Sequence, residues 1–247
     1  MEAYQALARV YDRLMDGEER RLWVESTLAL LRGAGVAPGA AVADLACGTG
    51  ALSIPLARAG YRVTAVDINE AMLMQARQKA GGLPVAWVCQ NMTSLALHRP
   101  VSAVNCACDG VNYLTSPAAV AQCFAAVYRA LLPGGLFVFD VSTEAKLMSM
   151  DGELYGLDED DVAYLWRNEL DLKTRVLTMD ITLFVDRGDG LFERMEETHR
   201  QRAHTHEELM EALRRAGFEE IRAFSGLSQS PPQEGDLRRR YTACRPE

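Results

Sequence analysis

The sequence lacks a C-x-x-C pair, a long apolar run and an excess of positive charge, and each absence removes a class of protein. Its six cysteines, Cys47, Cys89, Cys106, Cys108, Cys123 and Cys244, sit singly and mostly inside apolar segments. They read as reduced core thiols of a cytoplasmic protein, and no His/Cys/Asp spacing suggests zinc or another metal. The longest uncharged stretch, Gly110 to Tyr128, carries Asn112, Thr115, Ser116, Pro117 and Gln122. It is too polar for the ~20 apolar residues of a membrane span, and Met1-Glu2-Ala3-Tyr4 does not open a signal peptide. With 26 basic against 34 acidic side chains the net charge is −8, which argues against a phosphate backbone as partner and for a small molecule. What remains is 247 residues, 49% hydrophobic, a length that fits one large α/β domain, with or without an inserted lid, or two small ones.

Tyr4, Leu7, Tyr11 and Leu14 are spaced 3, 4 and 3, which predicts one face of an N-terminal helix; a second helix carries Val24, Leu28 and Leu31 in register. Strand-length apolar runs then alternate with helical segments. The runs are Ala40–Leu45, Arg62–Val66, Pro84–Cys89, Val101–Cys108 and Leu136–Phe139, and the helices are Thr49–Ala59, Glu70–Ala80 and Pro117–Leu132. That is the pattern of β-α-β units around a parallel sheet. After Asp140 the texture changes. Asp151 to Asp161 reads as a solvated acidic hinge, and Tyr164–Leu172, Val176–Val185 and Leu191–Arg202 read as an antiparallel insertion. Thr205 to Glu208 is a capping box opening a helix to Ala216, with His204 and His206 as surface residues beside it. Two last strands, Glu220–Phe224 and Arg238–Cys244, end the chain, with Arg238-Arg239-Arg240 as an edge-strand charge cluster.

The informative segment runs Val42-Ala43-Asp44-Leu45-Ala46-Cys47-Gly48-Thr49-Gly50, a strand entering a glycine turn before a helix. Glycines there let backbone approach a ligand at the carboxyl end of the first strand, where open α/β sheets bind ligands. A dinucleotide fingerprint would need glycine at position 53; Ser53 stands there, which weighs against a nicotinamide oxidoreductase. Asp67 ends the second strand, where a carboxylate accepts both hydroxyls of a ribose or else serves as a helix N-terminal charge.

Asp44 to Gly50 followed by Val66-Asp67-Ile68 resembles the S-adenosylmethionine site of class I (Rossmann-like) methyltransferases. Tyr11 to Met15, Asp109 to Leu114, Leu132 to Gly135 and Glu197 to Arg200 extend the likeness over most of the chain, toward a bacterial subgroup of small-molecule and uncharacterised methyltransferases. The resemblance implies a doubly wound, mostly parallel seven-stranded sheet with a C-terminal antiparallel hairpin strand and an antiparallel β insertion as lid. It divides one domain into a helical cover (1–34), a cofactor core (35–145), a lid (150–204) and a C-terminal return (205–247). It assigns Asp44 and the turn Ala46, Cys47, Gly48 and Gly50 to the methionine part of the cofactor, Asp67 to the ribose, and Ile68 and Met72 to the adenine, Met72 serving equally as a helix core position. Asn91-Met92 falls where the family commonly has an acidic residue, which accepts from the adenine amino group, followed by a small or apolar one whose N–H donates to the ring; Asn91 departs from that, and a neutral acceptor there binds more weakly. Cys108, on the same face of its strand as Cys106, falls beside the sulfonium, and Tyr11 either reaches the cofactor's polar end or packs. Trp23 and Trp166 either line the acceptor pocket or pack in the core.

Methyl transfer from a sulfonium is an in-line displacement to which a protein contributes mainly alignment. A hydroxyl acceptor also benefits from a base, for which Asp109, His199 and, behind them, Tyr113 are the candidates; His199 sits among Glu196, Glu197 and Arg200, a solvated or salt-bridged setting. Asp109 and Asp140 fall where metal-dependent relatives place ligands, but no third ligand follows, so no metal is expected. The expected activity is methylation of nitrogen or oxygen on a small molecule by a monomer or homodimer, with S-adenosylhomocysteine as product and neither nucleic acid nor membrane as partner. The alternative is a non-catalytic or partner-regulated protein of the same fold that binds S-adenosylmethionine or S-adenosylhomocysteine.

Overall fold

The computed structural model of the chain describes residues 4, 7–14 and 18–247. Strands β1 (Ala41–Leu45), β2 (Arg62–Asp67), β3 (Val85–Cys89), β4 (Val101–Cys106) and β5 (Leu131–Ser142) pair in parallel in the order β3-β2-β1-β4-β5. The central strands are apolar on both faces because helices cover both, as a parallel sheet requires. On one side Leu31, Leu56, Tyr61 and Val63 form a core; on the other Phe124, Phe137, Phe139, Leu209 and Tyr241 do. Helices α1 (Tyr11–Leu14) and α2 (Glu18–Gly33) precede the sheet, and α3 (Ser53–Arg58), α4 (Glu70–Ala80) and α5 (Pro117–Ala130) connect its strands. The caps act as their sequences require: the side chains of Asn69 and Ser116 accept from Met72 N and Ala119 N, and Gly81 closes α4 at φ 58°.

After β5 a short helix α6 (Glu144–Ser149) leads into a four-stranded antiparallel sheet of β6 (Leu154–Asp158), β7 (Val162–Asp171), β8 (Val176–Asp186) and β9 (Phe192–Arg202). Helix α7 (His206–Ala216), opened by the Thr205–Glu208 capping box, then returns to the main sheet. The hairpin β10 (Glu219–Ser225) and β11 (Arg238–Cys244) completes seven strands in the order β10-β11-β5-β4-β1-β2-β3.

Several expectations are corrected. The N-terminal 3-4-3 spacing does not make one helix: Leu7–Arg9 is a 3-10 turn, Tyr11–Leu14 a single α-turn, and Tyr4 sits at φ 66°. The four residues nevertheless share one surface, packed on Ile181, Leu183 and Met195 of the inserted sheet, so the spacing reported the contact and not the helix. Met15 lies outside the described residues. The acidic segment after Asp151 contains a strand, β6, paired with β7 along its length. The first connecting helix starts at Ser53, since Gly48 and Gly50 hold left-handed φ values of 53° and 78° that an α-helix cannot accommodate. Cys106 ends β4, so strand alternation does not carry to Cys108, whose φ is 57°. His204 is buried, accepting at Nδ1 from Arg202 at 2.8 Å, and burial lowers its pKa to about 4. His206 is half-buried, with Nδ1 3.0 Å from the Tyr241 hydroxyl.

The arginine cluster is the largest correction. β11 lies between β5 and β10 and is not an edge strand. Arg240 is 1% exposed and donates to Ser26 and Thr27 of α2, while the guanidinium groups of Arg238 and Arg240 lie 5.2 and 5.5 Å from the ring centre of Trp23. Cation–π contacts and hydrogen bonds thus dock α2 against the end of the sheet.

Candidate active site

Two adjoining cavities open where the carboxyl ends of β1 and β4 diverge, the switch point at which α/β sheets place ligands. The larger, about 480 Å³, is lined by eleven of the twelve residues expected at the cofactor, from Tyr11, Asp44 and the turn to Asn91, Met92 and Cys108. Gly50 is the exception. A Cβ there would stand 2.8 Å from the Trp87 ring and 3.3 Å from Ala76, so this glycine lets the turn pack on β3 and α4 and does not face the cavity. At Gly48 a Cβ would meet only Met72 at 3.7 Å, leaving open space over the turn for a ligand.

The carboxylates beneath that space are held by the chain's own donors. Asp67 accepts from Gly48 N and Asn69 N, each at 2.8 Å, which ties the glycine turn to the start of α4; burial, partly offset by these two N–H groups, raises its pKa. Each oxygen keeps a further lone pair for a ligand hydroxyl. Asp44 is 2% exposed and accepts from Ser53 Oγ at 2.5 Å and Asn105 Nδ2 at 2.8 Å. Burial pushes it up to about 6 against those hydrogen bonds, with the charge of Asp67 adding to the rise. Ser53, the residue that breaks the dinucleotide fingerprint, therefore has a use of its own. Ile68, 67% exposed, and the buried Met72 line the cavity beyond Asp67. Asn91 caps a 3-10 turn, its Oδ1 accepting from Thr93 N and Thr93 Oγ1 at 2.9 Å, so its acceptor is largely committed within the chain. Asn69, Gln90 and Leu114 also line this cavity. Sequence reasoning missed them, although Asn69 and Gln90 immediately follow the segments it singled out.

The N-terminal segment closes over the turn by a polar latch. Asp12 accepts from Thr49 Oγ1 at 2.6 Å and from Lys79 Nζ at 2.5 Å, and Arg20 reaches it from α2 at 3.1 Å.

The second cavity, about 330 Å³, lies between the main sheet and the inserted one, with Trp23, Trp166, Met179 and Ile181 among its apolar walls. Tyr4, Tyr11, Cys108 and Tyr113 line both cavities and so mark their junction. Backbone strain collects there: Ala46, Cys108 and Asp109 all have left-handed φ, of 51°, 57° and 65°. Buried Asp140 holds the last two in place by accepting from Cys108 N at 2.7 Å and Asp109 N at 3.3 Å. The carboxylates of Asp109 and Asp140 also share the Arg238 guanidinium, which commits both to an ion pair. Burial pushes the Cys108 thiol up, with Asp140 and Asp109 adding to it, so it stays a neutral thiol.

Of the two settings its charged neighbours suggested, solvated or salt-bridged, His199 has the second: it is 3% exposed and paired with Glu197. Its Nε2 lies 3.0 Å from Glu197 Oε2 and its Nδ1 3.2 Å from the Tyr113 hydroxyl, which in turn stands 2.5 Å from the hydroxyl of Tyr4. Glu197, 2% exposed, also accepts from Tyr4 N at 2.8 Å and Leu7 N at 2.9 Å. Four groups from β9, the loop after β4 and the N-terminal segment thus form one hydrogen-bonded chain, buried at Glu197 and His199 and half-buried at Tyr113 and Tyr4. Sequence reading missed Glu197 as a member; the signal was that Glu197, His199 and Gln201 alternate in phase with Met195, all facing inward from β9.

Comparison with known proteins accounts for this arrangement. A family model described as a methyltransferase domain matches residues 42–135, the span from β1 into β5. The YqeM protein of Bacillus subtilis (strain 168), provisionally named a methyltransferase, is 33% identical over 232 residues, 93% of this chain and 92% of that one. A similarly named protein of Geobacillus sp. (strain WCH70), GWCH70_2453, is 30% identical over 234 residues, 94% of this chain and 95% of its own. Among solved structures, an S-adenosylmethionine-dependent methyltransferase from Clostridium acetobutylicum ATCC 824 superposes with a TM-score of 0.87 at 26% identity over 100% of both chains. With its glycine turn, ribose-side carboxylate and seven-stranded sheet, the chain belongs to the class I S-adenosylmethionine-dependent methyltransferases.

Proposed function

We propose that the protein methylates a nitrogen or oxygen of a small molecule seated in the second cavity, with Glu197, His199 and Tyr113 moving the acceptor's proton. The observation that carries this reading is the Glu197–His199–Tyr113–Tyr4 hydrogen-bonded chain, which runs from a buried carboxylate to the junction of the two cavities. The cofactor, when bound, supplies an electrophilic methyl group on a sulfonium. In this reading Asp67 takes its ribose, Asp44 and the Ala46–Gly48 turn its amino-acid end, and Ile68, Met72, Asn91 and Met92 its adenine side. Gly50 supports the turn from behind.

Glu197 fixes the histidine tautomer by accepting from Nε2–H, which leaves Nδ1 as an acceptor aimed at Tyr113. Burial raises the pKa of Tyr113, so a standing phenolate does not form; its hydroxyl passes a proton to His199 while taking one from the acceptor. Asp109, neutralised by Arg238, positions the junction and leaves the base role to His199. The cover (1–34), core (35–145), lid (150–204) and return (205–247) act as one unit in which the inserted sheet roofs the acceptor. The six free cysteines and the net charge of −8 fit a cytoplasmic monomer or homodimer working on a small molecule and not on nucleic acid. No helix among the described residues is long and apolar enough to cross a membrane.

The test is turnover of S-adenosylmethionine across amine and hydroxyl acceptors by the intact protein and by His199→Gln. The variant should lose about 10²- to 10⁴-fold in kcat on a hydroxyl acceptor, the range of general acid–base catalysis, while binding S-adenosylhomocysteine normally. Undiminished turnover on hydroxyl acceptors would remove His199 from the chemistry.

A further inference from the structure

The second cavity holds one cation that the fold does not use. Arg238 is shared by Asp109 and Asp140, and Arg20 is bonded to Asp12, but the Lys146 ammonium has no hydrogen-bond or ion-pair partner among the described residues. Lys146 stands on α6, which is fixed from both sides: Thr143 caps its start by accepting from Lys146 N at 3.3 Å, and Leu147 is buried against Leu177 and Met179 of the inserted sheet. The ammonium is thus carried on a pinned turn at the cavity wall.

One residue earlier than that cap is a second unused group. Ser142, at the end of β5, is 1% exposed, and its backbone is fully engaged with Asn112, donating to Oδ1 at 2.9 Å and accepting from Nδ2 at 2.9 Å. Its Oγ is nevertheless a buried hydroxyl without a partner among the described residues, on a residue that lines the same cavity. Buried polar groups are nearly always satisfied, so an orphaned hydroxyl and an unpaired ammonium on two residues of one cavity's lining point to a ligand acceptor there. The same cavity has apolar wall from Met150, Trp166, Met179 and Ile181.

We propose that Lys146 and Ser142 form an anion subsite for a carboxylate on the methyl acceptor, whose apolar body lies along the inserted sheet and whose nitrogen or oxygen points back to the Tyr4–Tyr113 junction. This rests on the reading of the second cavity as the acceptor site. One ammonium and one hydroxyl match a monoanion. A second negative charge would meet no further unpaired cation among the described lining residues and would share the cavity with the Asp109 carboxylate. The substrate class is therefore an amphipathic monocarboxylate, and Lys146 sets the preference for it.

The experiment titrates the protein, saturated with S-adenosylhomocysteine, with 3-phenylpropanoate and with the uncharged 3-phenylpropanamide. The acid should bind about ten- to a hundredfold more tightly, the range of a charge-assisted contact. Lys146→Met should erase that preference, Lys146→Arg should keep it, and Lys173→Met, on an exposed turn, should leave it unchanged, with S-adenosylhomocysteine affinity constant throughout as the check on folding. Equal binding of acid and amide, or a preference that survives Lys146→Met, overturns the anion subsite and leaves the cavity as the acceptor site. Binding of neither probe to the loaded protein overturns the reading of the cavity, and the subsite with it.

Discussion

Replacing Asp67 by alanine separates the two things this carboxylate does. In the free protein each oxygen accepts one backbone N–H at 2.8 Å, from Gly48 and from Asn69, and these two bonds hold the glycine turn against α4. Removing them leaves two half-buried donors to water, an expected loss of about 1–2 kcal/mol of stability. The second effect appears only with ligand: a carboxylate accepting from ribose hydroxyls contributes about 1.5–3 kcal/mol, so S-adenosylhomocysteine should bind Asp67→Ala roughly 10- to 150-fold more weakly. Calorimetric titration measures the affinity, and thermal melting without ligand measures the stability term separately. Asp67→Asn retains one acceptor oxygen without the charge and should fall between the two. If Asp67→Ala melts lower but binds S-adenosylhomocysteine with unchanged affinity, Asp67 is only a tether of the turn and the ribose assignment is wrong.

Three further outcomes follow from the same geometry. Gly50→Ala combines a φ of 78° with a Cβ 2.8 Å from the Trp87 ring, and denaturant unfolding should register a loss of about 2–4 kcal/mol. Asp44, with its pKa raised to about 6 in the free protein, must be ionised to receive the cofactor's ammonium group; calorimetry should find affinity constant from about pH 7 to 8, where the amino group stays largely charged, falling as pH drops below about 6, with proton release on binding in that range. Affinity flat from pH 5 to 8 would detach Asp44 from the ligand. Arg238→Met strands the Asp109 and Asp140 carboxylates, and should cost about 3–5 kcal/mol near pH 8 and less near pH 5, because a carboxylate whose pKa burial already raises takes up a proton more readily once its cation is gone.

What was legible in the sequence was local. The turn from Asp44 to Gly50, Asp67 at a strand end, and the caps at Ser116 and Thr205 are set by a few consecutive residues, and the structure places them as their chemistry demands. Where partners lie far apart along the chain, the same reading fails. Arg238 and Arg240 look like surface charge until β11 is placed between β5 and β10, which brings Arg238 to Asp140 and Arg240 to α2. Beside Glu196, Glu197 and Arg200, His199 reads as solvated or salt-bridged; it is paired with Glu197, but its burial is missed because the neighbouring charges hide the period-two alternation that turns His199 and Glu197 inward and the others out. The N-terminal spacing named the residues that touch the inserted sheet, but a 3-10 turn and a strained Tyr4 deliver them there in place of a helix. Ser53 was read for what it excludes; its hydrogen bond to Asp44 crosses from helix to strand and has no signature in the spacing.

The most direct test of the account is a crystal structure of the protein with S-adenosylhomocysteine. The ribose hydroxyls should lie within hydrogen-bond distance of Asp67, and the sulfur should point to the junction lined by Tyr4, Cys108 and Tyr113, facing the second cavity. A cofactor whose sulfur points away from that junction, or whose ribose avoids Asp67, would contradict both the site and the chemistry derived from it.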